Sequence, residues 1–249
     1  MWSRATPSTS SSPRAEPVAG GGAPRDAGGP ARMPPLPLVD LGRIAYRDAW
    51  DEQQRRVAAR AAGGVADDVV LVCEHDPVIT TGRGTGRSGG GDVLLDERFE
   101  VVAVERGGEA TYHGPGQVVA YPIVRLADDR HDLHGWMRAL EAAVMATLGA
   151  CGLETSRVPG ATGVWTADGT RKLCSIGVAA SRWVTWHGLA LNLDPDLSHF
   201  AAIRPCGYPA EVMTSVVQQL GAAAPDRAGL VARLGVELDA ALAPFRRRA

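Results

Sequence analysis

Two side chains in the C-terminal half of the sequence could take part in covalent chemistry, and the first is a thiol. Cys206 lies in Pro-Cys-Gly-Tyr-Pro, an irregular connection in which a thiol can be exposed. A thiolate there would be a nucleophile if a nearby cation or helix N-terminus lowered its pKa, and a helix predicted to begin at Glu211 could supply that terminus. A buried structural thiol is the alternative interpretation of Cys206.

The second side chain is that of Lys172, the only lysine among 26 basic residues. Arginine cannot release its proton at any useful pH, whereas the pKa of a lysine can be tuned by its surroundings. A lysine kept in so arginine-rich a chain is therefore a candidate for proton transfer, unless it remains by chance.

The stretch 106–122 concentrates polar groups among four glycines. It lies between predicted strands at 99–104 and 118–124, and is interpreted as a loop, where binding residues tend to lie. Glycine lets the backbone approach a ligand closely. Because a hairpin turn needs only about two to five residues, we favour a binding loop over a solvated connection. The polar side chains of this loop are Arg106, Thr111, Tyr112, His113 and Gln117.

Length and composition argue against several classes of protein. The 249 residues suffice for one large domain or two small ones, and the net charge of −2 does not indicate a nucleic-acid partner. No run approaches the roughly 18 apolar residues that a membrane helix needs. The cysteines form no C-x-x-C pair, so neither a disulfide framework nor a zinc site is predicted, and a reducing cytoplasm fits best. They are Cys73, Cys151, Cys174 and Cys206.

The chain is predicted to consist of a disordered extension, 1–34, followed by a single domain, 35–249. The extension is rich in Ser, Pro, Gly, Ala and Arg and could not bury enough apolar surface to fold. No apolar segment follows its early arginines, so a secretory signal is not predicted. Met33 is a candidate for the true start of translation.

Helices and strands alternate along the rest of the chain, which is typical of an α/β or α+β fold. Helices are predicted at 46–62, 133–148, 211–220 and 228–242, and Asp132 is predicted to cap the second. Further strands are predicted at 39–42, 69–73, 163–165, 172–179 and 183–193, with a hairpin turn at 168–169.

Two weak motifs are not interpreted as sites. Gly84, Gly86 and Gly89 fit G-x-G-x-x-G, but no helix pattern follows them, so 82–91 is predicted to be a flexible loop that could close over a substrate. His131 and His134 could hold a metal ion, but without a third ligand they are interpreted as part of a helix start.

Four motifs resemble those of the lipoyl(octanoyl) transferases and occur in the order found in that family. R-G-G-x-x-T-Y-H-G-P-G-Q-x-V-x-Y-P, at 106–122, resembles its signature loop. Lys172-Leu-Cys-Ser-Ile-Gly177 resembles its lysine strand, and Trp186-His-Gly-Leu-Ala-Leu-Asn192 its substrate-lining strand. Pro205-Cys-Gly207 resembles its nucleophile turn. The resemblance covers about residues 40 to 220.

Cys174 departs from the family pattern, which usually has a small residue without a thiol there. Lys172 and Cys174 are expected to share a strand face, because side chains two positions apart point the same way. Cys174 is therefore expected near the site, where it could confuse labelling of the nucleophile.

The resemblance implies the fold of lipoate and biotin ligase catalytic domains: a central mixed β-sheet, a smaller sheet and flanking helices. It also implies acyl transfer in two steps without a cofactor or metal ion. Cys206 would take an octanoyl group from octanoyl-acyl carrier protein as a thioester, and the lysine of an apo lipoyl domain would take it as an amide. The implied acceptors are 2-oxoacid dehydrogenase E2 subunits and the glycine cleavage H protein, in the first step of endogenous lipoate biosynthesis.

In that mechanism Lys172 would lower the pKa of Cys206 and act as general base and acid. Backbone amides of the loop and of Gly177 would stabilise the oxyanion. His113 would hold the pantetheine end, orient Cys206 or only bond within the loop. The substrate-binding residues implied are Arg106, Gly107, Gly108, Glu109, Ala110, Thr111, Tyr112, His113, Ser175, Ile176, Gly177, Gly188, Leu189 and Ala190; Ile176, Leu189 and Ala190 would line an apolar slot.

Three rival functions remain open. An ATP-dependent lipoate–protein ligase on the same fold would use the lysine for an adenylate and would not need Cys206, but no P-loop is found. A cysteine hydrolase would release the free acid. A non-catalytic binder of lipoyl domains would show no turnover.

Overall fold

The computed structural model describes residues 33–62, 67–85, 97–203 and 210–247. Most of the predicted disordered extension, much of the predicted loop 82–91 and the candidate nucleophile Cys206 lie outside these ranges. No helix within them is both long and apolar enough to cross a membrane.

The described residues form strands and helices in alternation, as the sequence predicts. The strands are β1 (Leu38–Ile44), β2 (Val69–His75), β3 (Val78–Thr81), β4 (Glu100–Ala103), β5 (Ala110–His113), β6 (Gln117–Ile123), β7 (Thr155–Val158), β8 (Ala161–Thr166), β9 (Lys172–Ser181) and β10 (Val184–Asn192). The α-helices are α1 (Tyr46–Ala61), α2 (Leu133–Gly149), α3 (Val216–Leu220) and α4 (Arg227–Leu242).

Seven strands form a mixed sheet in the order β1-β2-β6-β10-β9-β8-β7. The pair β1–β2 is parallel and every other neighbouring pair is antiparallel. Strands β9 and β10 form a long hairpin, which places the lysine motif and the substrate-lining motif side by side.

A smaller sheet has the order β4-β3-β5. Strand β5 lies inside the stretch that the sequence predicts to be a loop, so that prediction is wrong for Ala110–His113. These residues pair with β3 in an antiparallel register, with Val78 opposite His113. The stretch 106–122 therefore leaves the small sheet through β5 and enters the large sheet through β6.

Both faces of the large sheet are buried, which explains why its central strands are apolar along their whole length. In β2, Val70 and Val72 pack on the side that carries α2 and α4. The alternate residues Val69, Leu71 and Cys73 pack on the side that carries α1. Helix α2 presents fully buried residues at a spacing of four, as an amphipathic helix does: Trp136, Leu140, Val144 and Leu148.

The start of α2 is as predicted, whereas the helix predicted at 211–220 forms only over its second half, Val216–Leu220. The Asp132 side chain accepts a hydrogen bond from the Gly135 amide at 2.9 Å, which is an N-cap contact. Helix α3 begins only at Val216, because the preceding backbone pairs with β9: Thr214 N–H donates to the Lys172 carbonyl at 3.0 Å. Tertiary pairing here overrides the local helical pattern.

Candidate active site

A cavity opens where β5 of the small sheet meets β9 and β10 of the large sheet. It encloses about 550 Å³, including the space at its mouth. Most residues predicted to bind substrate line this cavity together with Lys172, so the fold brings the separate motifs to one place. They are Arg106, Gly108, Glu109, Ala110, Thr111, His113, Lys172, Ser175, Ile176, Gly177, Gly188, Leu189 and Ala190.

Tyr112 is a predicted substrate-binding residue whose side chain is turned away from the cavity. Side chains alternate along a strand, and its neighbours Thr111 and His113 take the cavity side of β5. The Tyr112 hydroxyl lies 2.8 Å from His199 Nδ1, and its ring packs edge-on against Phe200. Burial raises the pKa of Tyr112 to about 12. Its position therefore makes Tyr112 a support for β5 from behind the cavity wall.

Two glycines face each other across the β9–β10 hairpin and keep part of the cavity wall free of side chains. Gly177 is paired with Gly188. A Cβ on Gly188 would collide with the Ala120 carbonyl, and a Cβ on Gly177 would lie 2.8 Å from the Gly107 carbonyl oxygen. Gly107 itself does not line the cavity; its N–H donates to the Val178 carbonyl at 2.9 Å. Close backbone approach thus explains why these motif positions are glycine.

Arg106 ties the glycine-rich stretch to the small sheet as well as lining the cavity. Its guanidinium donates to the Thr80 carbonyl at 2.8 Å and to the Thr80 hydroxyl at 2.9 Å. It also donates to the Gly107 carbonyl at 3.1 Å. Charge-assisted hydrogen bonds of this kind are stronger than neutral ones, so Arg106 fixes the loop against β3.

His113 is held as a neutral imidazole by its surroundings. Burial holds its pKa well below the usual value, and its Nδ1 lies 3.3 Å from Gln117 Oε1. Gln117 Nε2 donates in turn to Asn192 Oδ1 at 2.9 Å, and Asn192 Nδ2 donates to the Thr214 carbonyl at 2.9 Å. This buried chain connects β5, β6, β10 and the segment before α3.

Lys172 is 1% exposed and enters the cavity wall from the first position of β9. Its Nζ lies 5.3 Å from the centre of the Trp165 ring, within the range of a cation–π interaction. Its Cε passes so close to Gly163 that a Cβ there would lie 2.6 Å away. That Cβ would also collide with the Cys174 carbonyl. The absence of a side chain at Gly163 therefore gives Lys172 the space it occupies.

A buried carboxylate on α2 holds Gly163 in place. Glu141 is 1% exposed, and its Oε1 accepts a hydrogen bond from the Gly163 amide at 3.0 Å. Its Oε2 accepts from Arg138 at 2.7 Å and from Arg157 at 2.8 Å. The Glu141 carboxylate is thus paired despite its burial, and it fixes β8 at the point where Lys172 passes.

The described residues that follow Cys206 in the chain contact Lys172 through the backbone. Met213 forms an isolated parallel bridge with Lys172, and the Thr214 amide donates to the Lys172 carbonyl at 3.0 Å. Cys206 itself lies outside the described residues. The backbone at Met213 and Thr214, a few residues after Cys206 in the chain, is therefore held beside Lys172.

Cys174 lies near Lys172, whose charge acts on its thiol, but it does not line the cavity, so the expectation that the two side chains share one face at the site is wrong. The cause is a register shift: Val164 pairs with Cys174, but Trp165 pairs with Lys172. Leu173 is therefore an extra residue in β9, and such a bulge breaks the alternation of side chains. The Cys174 side chain is 0% exposed in the core, and burial raises its pKa to about 12. A thiol in this state is a poor nucleophile at neutral pH.

The sequence profile of the lipoyl protein ligase A/B catalytic domain matches residues 45–233, which is most of the chain. This chain belongs to that family.

Curated relatives within the family are named octanoyltransferases. The relative from Gloeobacter violaceus is 46% identical over 171 residues, covering 68% of this chain and 75% of the relative. Relatives from Geobacter sp. and Chloroflexus aurantiacus are both 45% identical, covering 73% and 77% of this chain and 85% and 87% of their own lengths. They confirm the assignment to the lipoyl(octanoyl) transferases, and with it the enzyme class of acyltransferase.

Solved structures of the ligase branch share the fold. Lipoate-protein ligase A bound with ATP has a TM-score of 0.66 at 18% identity, covering 86% of this chain and 88% of that protein. A putative lipoate protein ligase from T. acidophilum with bound lipoic acid has a TM-score of 0.63 at 16% identity, covering 84% and 86%. At such low identity the likeness shows the fold alone, and it confirms the predicted ligase-like architecture.

Three residues line the cavity of this family member without having been singled out by sequence reasoning: Tyr46, Tyr121 and His187. Tyr121 and His187 lie inside the quoted motifs, so a signal was present for both. Tyr46 comes from the start of α1, remote in sequence from every motif.

The Tyr121 hydroxyl donates a hydrogen bond to His75 Nε2 at 2.7 Å. This direction follows because His75 Nδ1 lies 3.0 Å from the Ile44 carbonyl and carries the proton that it donates there.

Within the described ranges, no group of His, Cys, Asp and Glu side chains is arranged to hold a metal ion. His131 stacks flat on Trp183, with ring centroids 4.1 Å apart. His134 lies exposed in the first turn of α2.

Gly163→Ala tests the packing of Lys172. Gly163 has φ of +130°, and a Cβ would collide with the Cys174 carbonyl. We expect the free energy of unfolding in urea to fall by at least about 2 kcal/mol. Gly149→Ala is the control, because a Cβ there would meet no described atom within 4 Å and should leave stability equal or slightly higher. Equal effects of the two changes would contradict this account of Gly163.

The buried histidines should make the protein sensitive to acid. Burial lowers the pKa of His187 to about 3, against about 6.5 in the unfolded chain. The unfolded chain then binds a proton that the folded chain does not, so the free energy of unfolding falls as the pH drops below about 6.5. His187→Asn should make this slope shallower by about 1.4 kcal/mol per pH unit between roughly pH 6 and 5. Urea unfolding across that range measures it, and an unchanged slope would refute a neutral His187.

Proposed function

We propose that this chain transfers an octanoyl group from octanoyl-acyl carrier protein to the acceptor lysine of apo lipoyl domains, through a thioester on Cys206. The observation that carries the proposal is the single lysine, buried in the wall of a partly apolar cavity and paired through its backbone with the segment that follows Cys206. The reaction would be the first step of endogenous lipoate biosynthesis, in the cytoplasm.

In the first step the Cys206 thiolate attacks the carbonyl carbon of the octanoyl thioester. The ammonium of Lys172 favours the thiolate by its charge and gives a proton to the pantetheine sulfur as the carbon–sulfur bond breaks. Octanoyl-Cys206 and a neutral Lys172 amine result. One thioester replaces another, so the step needs no nucleotide.

In the second step the neutral amine of the acceptor lysine attacks octanoyl-Cys206. The Lys172 amine accepts a proton from the attacking nitrogen, and Cys206 leaves as a thiolate beside the restored ammonium. An amide has replaced a thioester, which makes this step favourable. An arginine could stabilise the thiolate but could not accept this proton, which explains why the chain keeps one lysine.

The oxyanion of each tetrahedral intermediate needs backbone donors close to the reacting carbon. The Gly107 amide already donates to the Val178 carbonyl, so it is not available for that role. The Gly177 amide, our expected donor, faces Gly188 in the β9–β10 ladder, because the flanking Val178 carbonyl and His187 amide both bond away from that ladder. We therefore assign the oxyanion to backbone amides of the glycine-rich stretch that lines the cavity, with Gly108 as the candidate.

The octanoyl chain is assigned to the apolar part of the cavity. Ile176, Leu189 and Ala190 line it, and the facing pair Gly177 and Gly188 leaves the wall between the strands bare. Each methylene removed from water contributes about 0.8 kcal/mol to binding. Chain length can therefore be selected by the depth of the cavity.

The acceptors we propose are the lipoyl domains of 2-oxoacid dehydrogenase E2 subunits and the glycine cleavage H protein. The octanoyltransferase names of the relatives support transfer of an octanoyl group, and the name of the matching family, lipoyl protein ligase, supports a protein acceptor. The position of Cys174 supports Cys206 as the acyl carrier, because the Cys174 thiol is buried and does not line the cavity.

Intact-mass spectrometry after mixing the enzyme with octanoyl-acyl carrier protein, without ATP, tests the proposed function. We expect one added octanoyl group that hydroxylamine and apo lipoyl domain both remove. Cys206→Ser should lose the hydroxylamine-sensitive adduct, whereas Cys174→Ser, the matched control, should keep it.

Three outcomes would contradict the proposal. Transfer that requires ATP and free octanoate would indicate a ligase. Release of free octanoate despite an available lipoyl domain would indicate a hydrolase. An adduct that persists in Cys206→Ser but is lost in Cys174→Ser would place the nucleophile at Cys174.

A further inference from the structure

Two buried histidines at the cavity have the positions of their ring protons fixed by backbone carbonyl groups. Burial lowers the pKa of both His75 and His113, so both rings are neutral at pH 7. A neutral imidazole carries one N–H and one bare nitrogen, and the hydrogen bond of one nitrogen decides the state of the other. Because a carbonyl can only accept, a chain of hydrogen bonds that starts at a backbone carbonyl has a single possible direction.

The first chain runs from the Thr214 carbonyl to His113. Asn192 Nδ2 donates to that carbonyl at 2.9 Å, so the side-chain oxygen of Asn192 faces Gln117. Gln117 Nε2 donates to this oxygen at 2.9 Å and to the Tyr112 carbonyl at 3.3 Å, which leaves Gln117 Oε1 facing His113 Nδ1. An amide oxygen only accepts, so the proton of His113 lies on Nδ1 and its Nε2 is bare.

The second chain runs from the Ile44 carbonyl to Tyr121. His75 Nδ1 donates to that carbonyl at 3.0 Å, so His75 Nε2 is bare and accepts from the Tyr121 hydroxyl at 2.7 Å. The hydroxyl hydrogen is thereby used, and the Tyr121 oxygen can offer the cavity only its lone pairs. The centroid of the His75 ring lies 5.9 Å from those of both His113 and Tyr121, so the two chains end beside each other.

His113 and Tyr121 therefore present hydrogen-bond acceptors, and no donors, to the cavity that both residues line. Gln117, which binds Nδ1, does not line the cavity, so the bare Nε2 on the other edge of the His113 ring is the nitrogen that faces it. Tyr46 stacks on this ring, with centroids 5.9 Å apart and 16° between the planes. A carbonyl oxygen would find no donor at these two atoms, whereas an N–H group would find a partner.

The substrates of the proposed reaction carry N–H groups in two places. The acceptor lysine attacks as a neutral amine, and the pantetheine arm of the carrier protein contains amides. Arg106 brings a positive charge to the same cavity wall, and that charge contributes to the low pKa of His113. A like charge disfavours an ammonium beside it, so the partner that fits His113 Nε2 is an uncharged N–H group.

We propose that Gln117 and Asn192 are positioning residues of octanoyl transfer, which keep His113 Nε2 bare so that it accepts a hydrogen bond from an uncharged N–H group of a substrate. The two amide side chains act only through His113, since neither lines the cavity. The N–H group belongs to the attacking lysine amine or to the pantetheine arm. The proposal rests on the proposed octanoyl transfer and adds two residues to its site.

Nitrogen NMR of the full-length enzyme with isotope-labelled histidine tests the tautomer, because protonated and bare ring nitrogens resonate far apart. We expect a protonated Nδ1 and a bare Nε2 for His113 at pH 7, assigned by the loss of these signals in His113→Asn. Gln117→Met should mix the two tautomers, since Nδ1 loses its acceptor. Gln219→Met is the matched control: the Gln219 amide donates to the Thr214 hydroxyl at 2.9 Å, beside the chain but outside it, and the change should leave the His113 signals unaltered.

Two substitutions of His113 separate the acceptor from the rest of the ring. An Asn side chain ends at the level of Nδ1 and keeps the contact with Gln117, whereas a Gln side chain reaches the level of Nε2 and keeps an acceptor there. Acylation of the enzyme by octanoyl-acyl carrier protein and discharge to apo lipoyl domain are measured as separate single turnovers. We expect His113→Asn to slow at least one of the two steps about tenfold, and His113→Gln to stay within about threefold of the wild type.

The step that slows identifies the N–H group: acylation indicates the pantetheine arm, and discharge indicates the lysine amine. Gln117→Met should slow the same step by about threefold or more, and Gln219→Met should not.

A bare Nδ1 on His113 in the wild type would overturn the proposal, and so would equal rates of His113→Asn and His113→Gln in both steps. If the wild type transfers no octanoyl group, the proposed function fails, whereas the NMR spectrum still reports the tautomer. Calorimetry with octanamide, which offers N–H groups to the cavity, then tests the acceptor. Its affinity should fall in His113→Asn and be kept in His113→Gln, and equal affinities would overturn the proposal.

Discussion

Burial of a single lysine side chain constrains the elements around the cavity. An ammonium group removed from water is unfavourable unless charges, hydrogen bonds or an aromatic face compensate it. Here the Trp165 ring lies beside Nζ, and Gly163 leaves room for the side chain to pass. Glu141, from the opposite layer, holds Gly163 through its backbone amide. The contacts that accommodate Lys172, a strand β9 residue, therefore involve strand β8 through Trp165 and Gly163, and helix α2 through Glu141.

Close approach of backbones is the second constraint, and it joins the two sheets. Gly177 and Gly188 face each other, and the carbonyls of Gly107 and Ala120 occupy the space where their Cβ atoms would be. Arg106 fixes the same region to β3 of the small sheet. The result is a wall that is bare in its middle, bounded by a lysine and by neutral imidazole and tyrosine rings. Such a wall suits an apolar chain with one reactive end.

The residues of the cavity wall could be predicted from the sequence because they lie in motifs that resemble those of a known family, although the motifs are far apart in the chain. The direction in which an individual side chain points could not be predicted, because it depends on the pairing register of its strand with the neighbouring strands. The extra residue Leu173 turns Cys174 into the core although it stands two positions from Lys172. Pairing of Thr214 with Lys172 delays α3 until Val216. Tyr46 reaches the cavity from a helix that carries no motif.

The rate of octanoyl transfer by Lys172→Arg tests most directly whether the lysine acts as a proton carrier for Cys206. Alkylation of Cys206 by iodoacetamide at pH 7, on the same sample, shows whether the thiolate survives the change. The account predicts alkylation close to that of the wild type, because arginine keeps the charge, and transfer slower by at least about 100-fold, because arginine cannot exchange the proton. Transfer at the wild-type rate would contradict it.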